Sequence, residues 1–187
     1  MKKYILFGLM LCSITLFAQE SKPQKSHEFN VNIFNTIIFK APEFSYEYLI
    51  DAESSVGGAV MFNLTDLGNE NEYIDGPYYE ENFALTAFYR RFFSRKYAWG
   101  FFIETFGMYN QQEVEKYDFD YFDPATDYSY EKTNNFAVGI SVGGKWVSSK
   151  GFVFQIHGGV GRNIISSDDA NNTEIVPRLG ASFGLRF

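Results

Sequence analysis

EIVPRLGASFGLRF, residues 174–187, ends the chain on an unbroken alternation. Ile175, Pro177, Leu179, Ala181, Phe183, Leu185 and Phe187 fall on one face, and Arg178, Gly180, Ser182, Gly184 and Arg186 on the other. Successive strand side chains point to opposite sides of a sheet. One side of this strand is therefore apolar throughout, and the other is small or cationic. A strand with that pattern suits a barrel wall that shows lipid its apolar face and turns its polar face inward.

The same period runs upstream through seven further segments. Phe29, Val31 and Ile33 oppose Glu28, Asn30 and Asn32; Phe44, Tyr46 and Tyr48 oppose Ser45 and Glu47; Val56, Val60 and Phe62 oppose Ser55, Ala59 and Asn63. Phe83, Leu85, Ala87 and Tyr89 oppose Ala84, Thr86 and Arg90, while Trp99, Phe101, Ile103 and Tyr109 oppose Gly100, Glu104 and Met108. Phe136, Val138, Ile140, Val142 and Trp146 oppose Ala137, Gly139, Ser141, Gly143 and Lys145; Phe152, Phe154, Ile156 and Val160 oppose Gln155, His157, Gly159 and Gly161. The predicted fold is all-β: an eight-stranded, antiparallel, up-and-down transmembrane barrel. Its strand number is even, as bacterial barrels require. A water-soluble barrel of lipocalin type would need an apolar interior, whereas the inward set here carries Glu, Arg, Asn and Gln.

Connection lengths give an independent signal. DAES, SRK and SSKG are short links, whereas residues 65–82, 110–134 and 164–174 are long. Short turns at one end and long loops at the other are the habit of outer-membrane barrels. The link around Lys40–Pro42 is a short exception on the long-loop side. Most of the 23 acidic residues lie in the long loops. Phe92, Phe93, Tyr97, Trp99, Trp146 and Phe152 cluster beside the short turns, where an aromatic girdle is expected.

The N-terminus supplies the address. Lys2 and Lys3 precede an apolar or small-polar run from Tyr4 to Phe17 that ends at Ala18, the grammar of a secretory signal peptide. Residues 1–18 are assigned to that signal and 19–187 to one barrel domain, located in the outer membrane. Cys12 is the single cysteine, and Leu11 before it is bulky, which disfavours lipidation. The mature chain then has no cysteine for a disulfide or a zinc site.

With its terminal Phe187, RLGASFGLRF resembles the C-terminal signal that delivers outer-membrane barrels to their assembly machinery, with Phe183, Leu185 and Phe187 as the signal positions. The whole alternating chain is similar to the small barrel families of the general type of the OmpX and OmpW proteins. The resemblance implies a location and a class, and no activity.

Catalytic and metal readings are weak. The PagL-type lipid A deacylases resemble one another in a His-x-Ser pattern, and here His157 is followed by Gly158 and Gly159. A PagP-like palmitoyltransferase would need a histidine in an external loop, and none matches. Asp118, Asp120 and Asp123 are closely spaced but lack the glycine and terminal glutamate of a calcium loop. The expectation is no enzyme, no cofactor and no metal. The leading function is a structural or surface-interaction barrel with acidic, aromatic loops at 65–82 and 110–134 that meet an extracellular ligand or protein. The alternatives are a porin-like conduit for small solutes or hydrophobic molecules and, behind it, a lipid-modifying enzyme. Expected partners are outer-membrane lipid and the assembly machinery, with no nucleic acid and a monomeric state.

One constellation carries a sharper expectation. Glu47, Arg90, Glu104, Lys145, His157 and Arg178 share the inward phase, and a narrow lumen desolvates any charge left unpaired. Glu47 and Glu104 should pair with some of Arg90, Arg178 and Lys145, with His157, Gln155 and Ser141 completing the polar contacts.

Overall fold

The computed structural model describes residues 25–64, 81–118, 127–167 and 174–187. The signal segment, Cys12, most of the first and third long loops, and Asp120 and Asp123 lie outside the described residues.

Eight antiparallel strands close on themselves in sequence order, β1 (His27–Asn32), β2 (Glu43–Leu49), β3 (Ser54–Phe62), β4 (Glu81–Phe92), β5 (Gly100–Asp118), β6 (Asp127–Val147), β7 (Phe152–Ser166) and β8 (Ile175–Arg186). Closure is made between β1 and β8, where Glu28 faces Arg186 and Asn32 faces Ser182. His27 and Phe187 exchange backbone hydrogen bonds at 3.0 and 2.8 Å, which ties the end of the chain to its first strand. Closure removes the open edges of a sheet and leaves side-chain phase to decide what faces in and out.

That phase follows the sequence pattern in every strand. Leu85, Phe101, Ile140, Phe152 and Phe183 are all more than half exposed on the outer face, while Glu47, Glu104 and Lys145 are 0 % exposed inside. The molecule carries its apolar surface outward and its charges in its core.

Three features depart from the sequence expectation. Ile33 does not extend β1: Ile33–Ile38 form a short helix, α1, whose Asn32 cap accepts from the Asn35 amide through its side-chain oxygen. An asparagine that caps a helix offers the backbone an alternative to the ladder, and the strand stops there. Secondly, 110–134 is not simply a loop. The β5–β6 pairing continues from Gly100↔Lys145 to Asp118↔Asp127, beyond the last β4 partner at Gln112 and the last β7 partner at Asn135. Its outer part is a two-stranded ribbon, and the sequence there lacks the period-two apolar alternation that marks the other strands. β4 and β7 likewise reach Glu81 and Ser166, inside segments expected to be loops.

The third departure concerns aromatic side chains. Phe92 is not a girdle residue but is 2 % exposed and points inward, its ring 5.6 Å from that of Phe102. Phe88, Phe102 and Phe106 also turn in, and each lies across a strand pair from a glycine: Gly57, Gly143 and Gly139 respectively. A Cβ on any of these glycines would collide with the facing ring. The interior glycines therefore make room for rings rather than merely easing curvature. Tyr97 is partly buried against this inner cluster, while Phe93, Trp146 and Phe152 do face outward.

Candidate functional site

Inside the barrel, four acids and four bases form one unbroken line of alternating charge. Arg186 contacts Glu28 at 2.6 Å; Glu28 accepts from Lys145 Nζ at 2.7 Å; Lys145 also donates to Glu47 at 2.7 Å. Glu47 accepts from Arg90 Nη1 at 2.6 Å, and Arg90 Nε donates to Glu104 at 2.6 Å. Glu104 accepts from Arg178 Nε at 3.0 Å, and Arg178 reaches Glu43 at 3.4 Å. The line begins at the short-turn end, where Arg186 also donates to the carbonyls of Tyr97 and Ala98, and finishes beneath α1. Its formal charge sums to zero.

Strand register explains why these residues meet. Arg90 stands directly opposite Glu104, and Glu104 opposite Ser141, so three adjacent strands place cation, anion and hydroxyl side by side. Ser141 Oγ donates to Glu104 Oε1 at 2.8 Å. Glu28 stands directly opposite Glu47, a like-charge pair that would be repulsive by itself. Lys145 reaches across from β6 and donates to both, converting the repulsive pair into a bridged one. Glu47 takes a further hydrogen bond from Ser55 Oγ at 2.6 Å, and Arg90 gives one to Gln155 Oε1 at 2.8 Å.

The inward rings complete the packing of the cations. Arg90 Cζ lies 4.4 Å from the Phe88 centroid and 4.7 Å from that of Phe102, Lys145 Nζ lies 4.9 Å from that of Phe92, and Arg178 Cζ lies 5.4 Å from that of Phe106. Each guanidinium or ammonium thus has carboxylates at its edge and an aromatic face against it, a desolvated cation–π arrangement.

Of the six residues that the sequence nominated, five belong to this line: Glu47, Arg90, Glu104, Lys145 and Arg178. His157 does not complete it. The ring is buried, and neither Nδ1 nor Nε2 has a hydrogen-bond partner among the described residues. It sits where β7 passes Gly180, whose missing side chain leaves room for the imidazole. Inward phase established its burial, but not a donor or acceptor in reach. Three members went unnominated: Glu28, Glu43 and Arg186. Their signal was available, because Glu28 and Arg186 already lay on the inward faces of β1 and β8, and Glu43 shares the phase of Glu47.

At the long-connection end a second polar layer consists of amides. Asn110 donates to Asn163 at 3.0 Å, and Asn135 donates to Asn110 at 3.2 Å and to Gln112 at 2.9 Å. Among the described residues no group of three or more His, Cys, Asp or Glu is arranged to hold a metal ion.

The fold and its core together define a closed eight-stranded antiparallel barrel with an apolar exterior and a charge-balanced interior. Residues 5–175 match the family described as "Protein of unknown function (DUF3575)", and the chain belongs to that family. Neither the curated proteins nor the solved structures contain a match to it.

Proposed function

We propose that this protein is an outer-membrane barrel whose lumen is plugged by the charge line, and that it acts as a structural or surface-interaction protein rather than as an open pore or an enzyme. The observation that carries the reading is the inversion of polarity. Large apolar residues occupy the outer face of all eight strands, from Phe29 and Phe44 round to Phe183 and Leu185, in a belt far larger than the isolated patches of a soluble monomer. From Phe101 to Tyr109 the outward-facing run of β5 is about nine residues, the length a tilted strand needs to cross the hydrocarbon core.

Three further observations support this reading. The start of β1, the end of β8 and the three short links, at 50–53, 93–99 and 148–151, share one end, as they do in barrels inserted from the periplasm. The N-terminal segment has the pattern of a secretory signal. The outward apolar positions Phe183, Leu185 and Phe187 of β8 resemble those of strands delivered to the assembly machinery. At the other end the β5–β6 ribbon stands beyond its neighbours and carries the acidic, tyrosine-rich sequence towards the outside, which makes it the natural surface for an extracellular ligand or protein.

The test is fractionation of cells expressing the full chain. Protein in the outer-membrane fraction that migrates faster unheated than boiled, and is cleaved by external protease within residues 113–131, supports the reading. A soluble periplasmic product with no heat-modifiable mobility would overturn it.

A further inference from the structure

Both tryptophans of the chain, Trp99 and Trp146, lie at the short-link end of the barrel. Trp146 is exposed on the outer face, and its ring lies over Gly144, where an added Cβ would come within 2.7 Å of it. Gly144 stands opposite Phe101, so the indole of β6 occupies the space beside a ring of β5. Phe101 in turn lies 5.9 Å from Phe93, and Trp146 stacks on Phe154 at 5.7 Å. An aromatic rim therefore runs round the outside of the barrel from the end of β4 to β7. Rings of this kind sit where hydrocarbon gives way to headgroups.

Beyond the rim, the links at 93–99 and 148–151 carry Arg95, Lys96 and Lys150, all three exposed. Lys96 Nζ lies 4.6 Å from the centroid of Trp99, which keeps the ammonium at the level of the rings. None of the three cations makes an ion pair among the described residues. The acids of the adjoining 50–53 link are engaged locally: Asp51 accepts from the Glu53 amide at 2.8 Å, and Glu53 holds Arg91. Only the β5–β6 pair separates the two cationic links, and paired strands lie about 5 Å apart. Long, flexible side chains on either side of that pair can converge on one headgroup.

We infer that this rim is a docking surface for a phospholipid with an anionic headgroup, whose phosphate meets Arg95, Lys96 and Lys150 while its acyl chains run along Phe93, Phe101 and Trp146. The inference rests on the membrane reading above. Charge complementarity selects the headgroup: unpaired cations favour a net negative group over a zwitterion that brings its own ammonium. The rings select a lipid over a free anion, because they continue the apolar belt and a free phosphate would leave them uncovered. The formal net charge of the chain is -7, so the molecule as a whole repels anionic lipid. A preference for such lipid must then come from a local surface.

Intrinsic fluorescence reads this surface alone, since both tryptophans belong to it. The full-length barrel is placed in dioleoylphosphatidylcholine vesicles containing a minor fraction of acyl-brominated phosphatidylglycerol, or the same fraction of acyl-brominated phosphatidylcholine. Stronger quenching by the anionic lipid is expected, corresponding to a preference of about threefold that falls to unity at about 0.5 M salt. Replacing the three cations together, Arg95→Gln, Lys96→Gln and Lys150→Gln, should remove the preference, whereas Arg95→Lys should keep it; heat-modifiable mobility verifies that each variant is folded. Equal quenching by the two lipids, a preference that survives the triple replacement, or one abolished by millimolar inorganic phosphate at constant ionic strength would overturn the inference. Flotation separates the two readings: a barrel that floats and is quenched equally loses the lipid preference alone, whereas one that does not float removes the membrane reading as well.

Discussion

Glu104 shows why single residues matter so much in this core. Its two oxygens receive Arg90, Arg178 and Ser141 at 2.6, 3.0 and 2.8 Å in a fully buried position. Removing one member of a buried ion pair typically costs about 3 to 5 kcal/mol, because the partner charge stays behind uncompensated. Here two cations lose a partner, although Arg90 keeps Glu47 and Arg178 keeps Glu43. Glu104→Leu is expected to lower stability by about 3 kcal/mol, read by urea unfolding of the barrel in lipid vesicles; parental stability would remove the network from the account. Gly143→Val tests the second principle of the interior. Its side chain would meet the Phe102 ring and the Ile156 carbonyl. Overpacking of that kind costs about 1 to 3 kcal/mol or more when backbone blocks relaxation, whereas Gly158→Ala, whose added carbon would meet Leu179 at 3.6 Å, should be nearly neutral. The same unfolding midpoints decide both.

Among the elements, β8 has two jobs. Its lower half closes the barrel against β1 through Glu28↔Arg186 and the His27–Phe187 exchange; its upper half is the edge that α1 covers. Deleting Phe187 removes both that exchange and the terminal aromatic position. The expected outcome is a lower outer-membrane yield with protein accumulating in the periplasm, measured by fractionation and immunoblot; an unchanged folded yield would count against an assembly role. The β5–β6 ribbon is an element of the opposite kind. Its outer part pairs with neither β4 nor β7, so replacing residues 113–131 with a short Gly-Asn turn should leave the heat-modifiable mobility of the barrel intact. Loss of the compact form in that variant would show the ribbon to be structural.

At the scale of the whole molecule, the question is whether the lumen conducts. An eight-stranded barrel is just wide enough to be filled by side chains, and the lower and middle lumen of this one is occupied by eight ion-paired residues packed against four phenylalanine rings. No stable ion-sized conductance is expected from the purified monomer in a planar bilayer, and reproducible single-channel steps would contradict the plug. The arrangement also separates roles by position. The lower and middle lumen is a continuous charged core, the upper lumen holds the amide layer, and the β5–β6 ribbon lies above both.

Period-two alternation was enough to determine the class of fold, the number of strands and the inward or outward face of nearly every strand residue, because a one-residue slip would bury the apolar set and expose the charges. It also brought Glu47, Arg90, Glu104, Lys145 and Arg178 to one interior. Register was beyond it. Only the closed structure put Glu28 against Glu47 with Lys145 between them, ordered eight charges into a single line, and left the His157 ring without a hydrogen-bond partner among the described residues, since those outcomes depend on which residues face each other across strands distant in sequence. The helix at Ile33–Ile38 and the ribbon beyond Gln112 were illegible for a related reason: a local cap outweighed the strand pattern in the first, and backbone pairing continued past the end of the apolar alternation in the second. The break in the wall beside Pro177 follows from the first of these, because a strand that stops early becomes a gap only once its neighbour is known to continue.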